Sequence, residues 1–282
     1  MAVDLHTHST ASDGSDPPER LVELALETGL SALALTDHDT QAGIEAARAA
    51  ADTAGVELIP GVELSLEFDG GGMHLIALWL DPGPGPLQDR LAELRSGRDA
   101  RNLAIVNALT KIGLPMTIDE VLEESGGGSV GRPHIAAVMV ARGYVPDIRA
   151  AFDHWLGKGR PGYLSRPRLG PEEAIGLARE SGGVPILAHP HTLGVTTAAG
   201  MADVLTRLKR AGLVGLEAAY GAYRRHERDG YAHLARRFGL VPSGGSDYHG
   251  TYKPGLSLGS GYGDLVVPGA LLEELREHVA LA

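Results

Sequence analysis

The sequence contains no cysteine. Disulfides, thiolate metal ligands and cysteine nucleophiles are therefore excluded, and any metal site must be built from His, Asp and Glu. Such donors suit harder cations held through oxygen and nitrogen. No run of about 18 apolar residues occurs, which argues against a membrane-spanning helix. The N-terminus carries Asp4 and a histidine-rich segment where a leader would be basic and then apolar. These features predict a cytoplasmic protein. An excess of basic residues is missing as well, and the formal net charge of -11 argues against binding to duplex nucleic acid through clustered Lys and Arg. An anionic substrate stays compatible with that total, because carboxylates bound to divalent cations belong to a locally positive site. Internal repeats and low-complexity tracts are absent too.

What remains is ordinary for a soluble globular protein, with 43% hydrophobic and 22% charged residues in 282. That length suits one large domain carrying an insertion. Short apolar runs over Ala2–His6, Ala32–Thr36, Glu57–Glu63, His74–Leu80, Val184–His189, Val214–Tyr220 and Leu240–Gly244 read as strands. Amphipathic patterns near Pro18–Thr28, Ala42–Ala54, Pro171–Ser181, Ala202–Ala211 and His226–Phe238 read as helices between them. This is the rhythm of βα units and a parallel sheet, an α/β fold with seven strands, and a βα-barrel fits the length. Residues 97–156 break it with helical patterns and Gly- and Pro-bearing punctuation, so they read as a helical insertion between barrel halves 1–96 and 157–282. Gly126-Gly127-Gly128 reads as a flexible turn within the insertion, and Asp81–Pro86 as a linker.

The chemistry lies at the strand ends. His6 and His8 stand two apart at the end of the first strand, so both can reach one cation. Asp37-His38-Asp39 closes the second strand, Glu63 the third and His189 the fifth, while Asp247 and His249 follow the last. In a parallel barrel all strands deliver their C-terminal ends to one face. His74 opens its strand instead, which requires that strand to run the other way or the residue to reach in from a loop. A single strand-end His can be a structural residue, and Asp37 or Asp39 can cap a helix. Three carboxylates and six histidines gathered in one mouth need cations.

Asp4-Leu5-His6-Thr7-His8, Thr36-Asp37-His38-Asp39, Gly61-Val62-Glu63, Ala188-His189-Pro190 and Gly245-Ser246-Asp247-Tyr248-His249 together resemble the polymerase and histidinol phosphatase (PHP) family. The resemblance spans the chain. It implies a distorted (β/α)7 TIM-like barrel and a trinuclear centre of divalent cations, with Mn2+ favoured over Fe2+, Zn2+ or Mg2+. By resemblance, His6, His8, Glu63 and Asp247 hold one cation, Glu63, His74 and His189 a second, and Asp13, His38 and His249 a third. Asp13, Glu63, His189 and Asp247 are then the catalytic ligands. On local sequence alone Asp13, in Ser12-Asp13-Gly14-Ser15, reads as a turn former. The activity implied is hydrolysis of a phosphate ester by water activated between cations, without a protein nucleophile. His191 is a candidate donor to the leaving group, with a plain loop residue as its rival reading.

Substrate selection points to the insertion. Gly131-Arg132-Pro133-His134, the run Lys158-Gly159-Arg160-Pro161-Gly162-Tyr163, and Arg166 gather cations that can grip a second anion. Each of these basic residues reads equally well as solvated surface. These segments resemble the PHP subgroup that dephosphorylates 3′,5′-bisphosphonucleosides or trims short RNA from its 5′ end. Arg132, His134, Tyr163, Arg166 and His226 are the implied substrate contacts. His226 has a core-facing rival reading, and Trp155 either stacks on a base or packs in the core. One departure from the family pattern is His191 directly after Ala188-His189-Pro190, where a small residue is expected. The favoured substrate is a 3′,5′-bisphosphonucleoside. The alternatives are short oligoribonucleotides, histidinol phosphate or another small phosphate ester, and a metal-free binding module without catalysis.

Overall fold

A computed structural model describes residues 1–125, 130–165 and 168–279. Gly126-Gly127-Gly128 and Arg166 lie outside the described residues. The chain runs β1 (Ala2–Asp4), α1 (Pro18–Glu27), β2 (Ala32–Leu35), α2 (Ile44–Ala54), β3 (Glu57–Leu66) and β4 (Met73–Leu78). It continues through α3 (Pro86–Lys111), α4 (Ile118–Glu124), α5 (Arg132–Ala141), α6 (Ile148–Ala151) and a π-helical turn, Phe152–Leu156. Then follow α7 (Pro171–Glu180), β5 (Val184–Leu187), α8 (Ala198–Arg210), β6 (Gly215–Tyr220), α9 (Arg225–Arg237), β7 (Val241–Gly245), β8 (Val267–Pro268) and α10 (Gly269–Arg276).

The strands form one sheet in the order β7-β6-β5-β4-β3-β2-β1-β8, curled into a nearly closed barrel. Seven of them are the expected strands. The eighth, β8, is two residues long and pairs antiparallel with β1; a segment so short carries no periodicity to read. β4 runs antiparallel to both β3 and β5 while the other neighbours among β1–β7 are parallel. That reversal answers the question raised by His74: the N-terminal end of β4 meets the C-terminal ends of its neighbours, and His74 pairs with Ser65.

Period-two alternation sorts each strand between two cores. Val62, Leu64 and Leu66 of β3 pack outward with Leu87 and Leu91 of α3 and Ile175 of α7. Ile59, Ile76, Ile186 and Val241 fill the barrel interior above Leu272 and Leu275 of α10. Glu63 therefore falls on the interior face, where an unpartnered carboxyl group would be costly. The helical segment has its own core of Ile105, Val106, Leu109, Ile135, Met139 and Leu156. Trp155 packs against that core. α3 joins both, with Leu87, Leu91 and Leu94 on the barrel and Ile105 and Leu109 in the second core. Residue 97 thus falls inside a continuous helix, because one apolar face changes partner along its length.

Candidate metal centre

The same residues close the barrel and build the centre. Leu5 N–H donates to the Gly244 carbonyl at 3.2 Å, Asp247 N–H to that of His6 at 2.8 Å, and His8 N–H to that of Tyr248 at 3.0 Å. Glycine is required at 245, since a Cβ there would meet the His6 backbone nitrogen and Cβ at 2.5 Å. A Cβ at Gly14 would meet the His8 carbonyl oxygen at 2.3 Å. The turn containing Asp13 therefore folds tightly over the strand end, and Asp13 Oδ1 lies 3.6 Å from His8 Nδ1.

Two buried aspartates organise these loops. Asp4 accepts the backbone N–H groups of His6 (3.3 Å), Ser246 (2.8 Å) and Gly259 (2.8 Å). Asp37 caps no helix; it accepts Ser9 N–H at 2.8 Å and the hydroxyls of Ser9 and Ser12 at 2.7 and 2.5 Å. Burial raises both carboxyl pKa values even so. Asp39 links elements: its N–H donates to the Glu63 carbonyl at 2.9 Å, its Oδ1 accepts Ser65 N–H at 3.1 Å, and its Oδ2 pairs with Arg98 of α3. Asp39, His189 and Asp247 all hold positive φ (54°, 21° and 57°). A non-glycine residue there costs about 1–3 kcal/mol, so packing must hold these strand-end turns.

The nine expected ligands converge. His6, His8, Glu63 and Asp247 offer donor atoms all within 4.8 Å of one another, as do His8, Asp13, His38 and His249, and His38, Glu63 and His74. His8 thus stands in two groups. Glu63 is the hub, with His74 Nδ1 and His189 Nε2 each 2.9 Å from its Oε1. His8 Nε2, His38 Nδ1 and His6 Nε2 lie 3.1, 3.2 and 3.3 Å from its Oε2. Asp13 gathers His249 Nε2 at 3.5 Å and His38 Nε2 at 3.8 Å.

Protein partners alone leave this cluster unsatisfied. His8 Nδ1 and His38 Nδ1 are buried without a hydrogen bond. His6 Nε2 and His8 Nε2 face each other at 3.0 Å, where two imidazole nitrogens share one proton at most. A set of imidazole nitrogens and carboxylate oxygens at this spacing fits divalent cations.

Without cations, protons must do that work. Burial would lower His6, yet Glu217, Glu63 and Asp247 outweigh it and hold the imidazole well above its ordinary value. Burial likewise opposes His8, but Asp247, Glu63 and Asp13 push it up to about 9. His189 also rises, against burial, through Glu63, Glu217 and Asp247. For His38, burial wins and takes it down to about 3. Burial would raise Asp13, Glu63 and Asp247, but the surrounding imidazoles, with Lys253 beside Asp247, hold all three well below the carboxylate range.

The mouth opens into a cavity of about 190 Å³ lined by His38, Glu63, His74, His189, Thr192, Tyr220, Asp247, His249 and Lys253. Tyr220 and Lys253 escaped the sequence reading. The Tyr220 hydroxyl donates to Asp247 Oδ2 at 2.8 Å, and the Lys253 ammonium reaches the same oxygen. Glu217, also missed, approaches His6 Nδ1 at 2.9 Å. The available signal was a Glu inside an apolar strand, Leu216-Glu217-Ala218, where a buried carboxyl group needs a partner.

The expected substrate residues scatter more widely. The Arg132 guanidinium donates to the Leu156 carbonyl at 3.1 Å and lies 5.3 Å from the Tyr163 ring centre. Arg132, Tyr163, Arg101, Lys158 and Arg168 line a second cavity, also of about 190 Å³, with Glu67 and Asp69. His134 is buried, accepts Gly131 N–H at 3.1 Å through Nδ1, and is lowered by burial. His191 is exposed, with the Tyr223 hydroxyl 2.8 Å from its Nδ1. His226 is exposed on the first turn of α9, with no hydrogen bond or ion pair to the cluster among the described residues.

A TIM-like barrel with eight His, Asp and Glu donors in three close groups, and His189 beside Glu63, defines a metal-binding α/β-barrel protein. This chain belongs to the PHP family. A family model described as PHP domain matches residues 4–108. The chain is 35% identical over 246 residues to a 5′-3′ exoribonuclease of Haemophilus influenzae, covering 87% of this chain and 89% of that protein. It is 32% identical to a 3′,5′-nucleoside bisphosphate phosphatase of Chromobacterium violaceum, with 91% and 90% covered. A solved structure from Bifidobacterium adolescentis, provisionally described as a metal-dependent phosphoesterase, superposes with a TM-score of 0.85 at 29% identity. That match covers 99% of this chain and 96% of the other.

Proposed function

We propose that this chain removes a phosphate, favouring the 3′-phosphate, from nucleosides phosphorylated at both 3′ and 5′ positions. The broader activity is plain: the chain is a metal-dependent phosphoesterase, a hydrolase acting on phosphate ester bonds. The observation that carries the narrower reading is the second, cation-lined cavity around Arg132. It adjoins Glu67, four residues beyond Glu63 along the chain. A cation-lined pocket beside a phosphate-hydrolysing metal centre suits a substrate that carries a second phosphate. Residues 97–156 act in this reading as a cap that brings Arg132 and His134 toward the barrel mouth, between barrel parts 1–96 and 157–282.

His6, His8, Glu63 and Asp247 would hold one divalent cation, Glu63, His74 and His189 a second, and Asp13, His38 and His249 a third, with Mn2+ favoured. Bound cations supply Lewis-acid stabilisation of the phosphoryl oxygens and activate water. The protein contributes the rest. Glu63 presents both oxygens to the ligand imidazoles, so its position sets the spacing of the donor groups. Lys253 adds a positive charge at the cavity rim beside Asp247. Arg132, braced by the Leu156 carbonyl, offers its remaining N–H groups to the distal phosphate. Tyr163 stiffens that guanidinium from its ring face.

The second reading is a 5′-to-3′ exoribonuclease on short RNA, supported by likeness to the Haemophilus protein. Product analysis separates them. Inorganic phosphate released from a 3′,5′-bisphosphonucleoside, with no mononucleotides from an oligoribonucleotide, supports the phosphatase; the reverse supports the nuclease. Faster turnover of histidinol phosphate would contradict both. A metal-free binding module is disfavoured by the three close groups of His, Asp and Glu donors.

A further inference from the structure

Glu217 is fully buried in β6 and stands outside the three groups of converging donors. Both its oxygens are nevertheless taken by proposed ligands. Oε1 lies 2.9 Å from His6 Nδ1, and Oε2 accepts the His189 backbone N–H at 2.7 Å. His6 turns its other nitrogen, Nε2, toward Glu63 Oε2 at 3.3 Å and Asp247 Oδ1 at 3.5 Å. A neutral imidazole has one proton to place. The carboxylate of Glu217 draws it to Nδ1, which leaves the Nε2 lone pair aimed at the converging oxygens.

The second contact controls backbone. His189 has φ 21° and ψ 68°, a conformation that a residue with a side chain rarely adopts. That turn delivers His189 Nε2 to Glu63 Oε1 at 2.9 Å. The hydrogen bond from its N–H to Glu217 ties the turn to β6, one strand over. His6 meets one oxygen of Glu63 and His189 meets the other.

We propose that Glu217 is a positioning residue that sets the tautomer of His6 and the turn at His189 together, so that one carboxylate aligns ligands on both sides of Glu63. This rests on the metal reading of the centre. Carboxylates placed behind ligand histidines typically change metal affinity by about 10–100-fold when removed.

Glu217→Gln preserves shape but offers one carbonyl and one amide, so either His6 Nδ1–H or His189 N–H faces a second donor. Zn2+ affinity measured against a chromophoric chelator should weaken about 10–100-fold in this variant. The metal-free variant should also lose thermal stability, because one buried donor is left unpaired, so affinities are compared at a temperature where both metal-free chains are folded. Excess Zn2+ should restore full occupancy. Unchanged Zn2+ affinity in the folded variant would overturn the proposal, whatever the loss of metal-free stability. If the variant does not fold, the wild-type Zn2+ complex still decides. Long-range 15N–1H spectra should place the His6 ring proton on Nδ1, and a proton on Nε2 would overturn the assignment. A wild-type chain that binds no Zn2+ at all would instead remove the metal reading itself.

Discussion

At the scale of single residues, the account turns on groups that cannot be satisfied alone. Asp247 takes Tyr220 and Lys253 on one oxygen and approaches His6 and His8 with the other. Asp247→Asn removes the charge without the shape, and His189→Ala removes a neighbour of Glu63; each should lower kcat by orders of magnitude. Steady-state rates near wild type would contradict the ligand assignment. Arg132→Ala should act differently, raising KM about tenfold or more with little change in kcat, since a charge-assisted hydrogen bond contributes about 1.5–3 kcal/mol. A fall in kcat with unchanged KM would move Arg132 from substrate binding to the chemistry. Most ligand candidates were legible because His, Asp and Glu at successive strand ends share a face, whereas Asp13, in a turn, came only from the family resemblance. Glu217, Tyr220 and Lys253 were not, because their roles depend on which strands become neighbours. The motif around His189 gives no hint that β6 supplies the carboxylate behind it.

At the scale of elements, Arg98 and Asp39 pin α3 to the end of β2. Both are buried, and breaking such a pair by removing one partner is costly. Arg98→Met should destabilise the protein by about 3 kcal/mol in urea unfolding, and adding Asp39→Asn should recover part of that loss. A neutral Arg98→Met variant would show that the pair holds nothing in place. Strands β1 to β7 were readable from apolar runs bounded by turn residues, and so was the helical character of 97–156. The reversed direction of β4 was posed by His74 and answered only by pairing. β8 was invisible, because two residues beside β1 leave no pattern. The continuity of α3 through residue 97 was also hidden, since one helix serves two cores.

At the scale of the whole molecule, protons and cations compete for one cluster. In metal-free protein His6, His8 and His189 are raised in the folded state, His8 to about 9. Raised groups stabilise fully below their ordinary value near 6.5 and lose that contribution as pH climbs through the folded value. Asp13, Glu63 and Asp247 are depressed, so their contribution holds above the ordinary carboxylate range and fades in acid. The thermal midpoint of chelator-stripped protein should therefore fall between about pH 6.5 and 9. Divalent cations need deprotonated ligands, so their stabilisation should grow over the same interval. A metal-free midpoint that rises with pH would contradict this balance.

The most direct measurement is the divalent-ion content of protein purified without chelator, determined by elemental mass spectrometry beside Asp247→Asn. The account predicts close to three ions per wild-type chain and fewer in the variant. Less than about one ion per wild-type chain, in protein that hydrolyses phosphate esters at full rate, would contradict it.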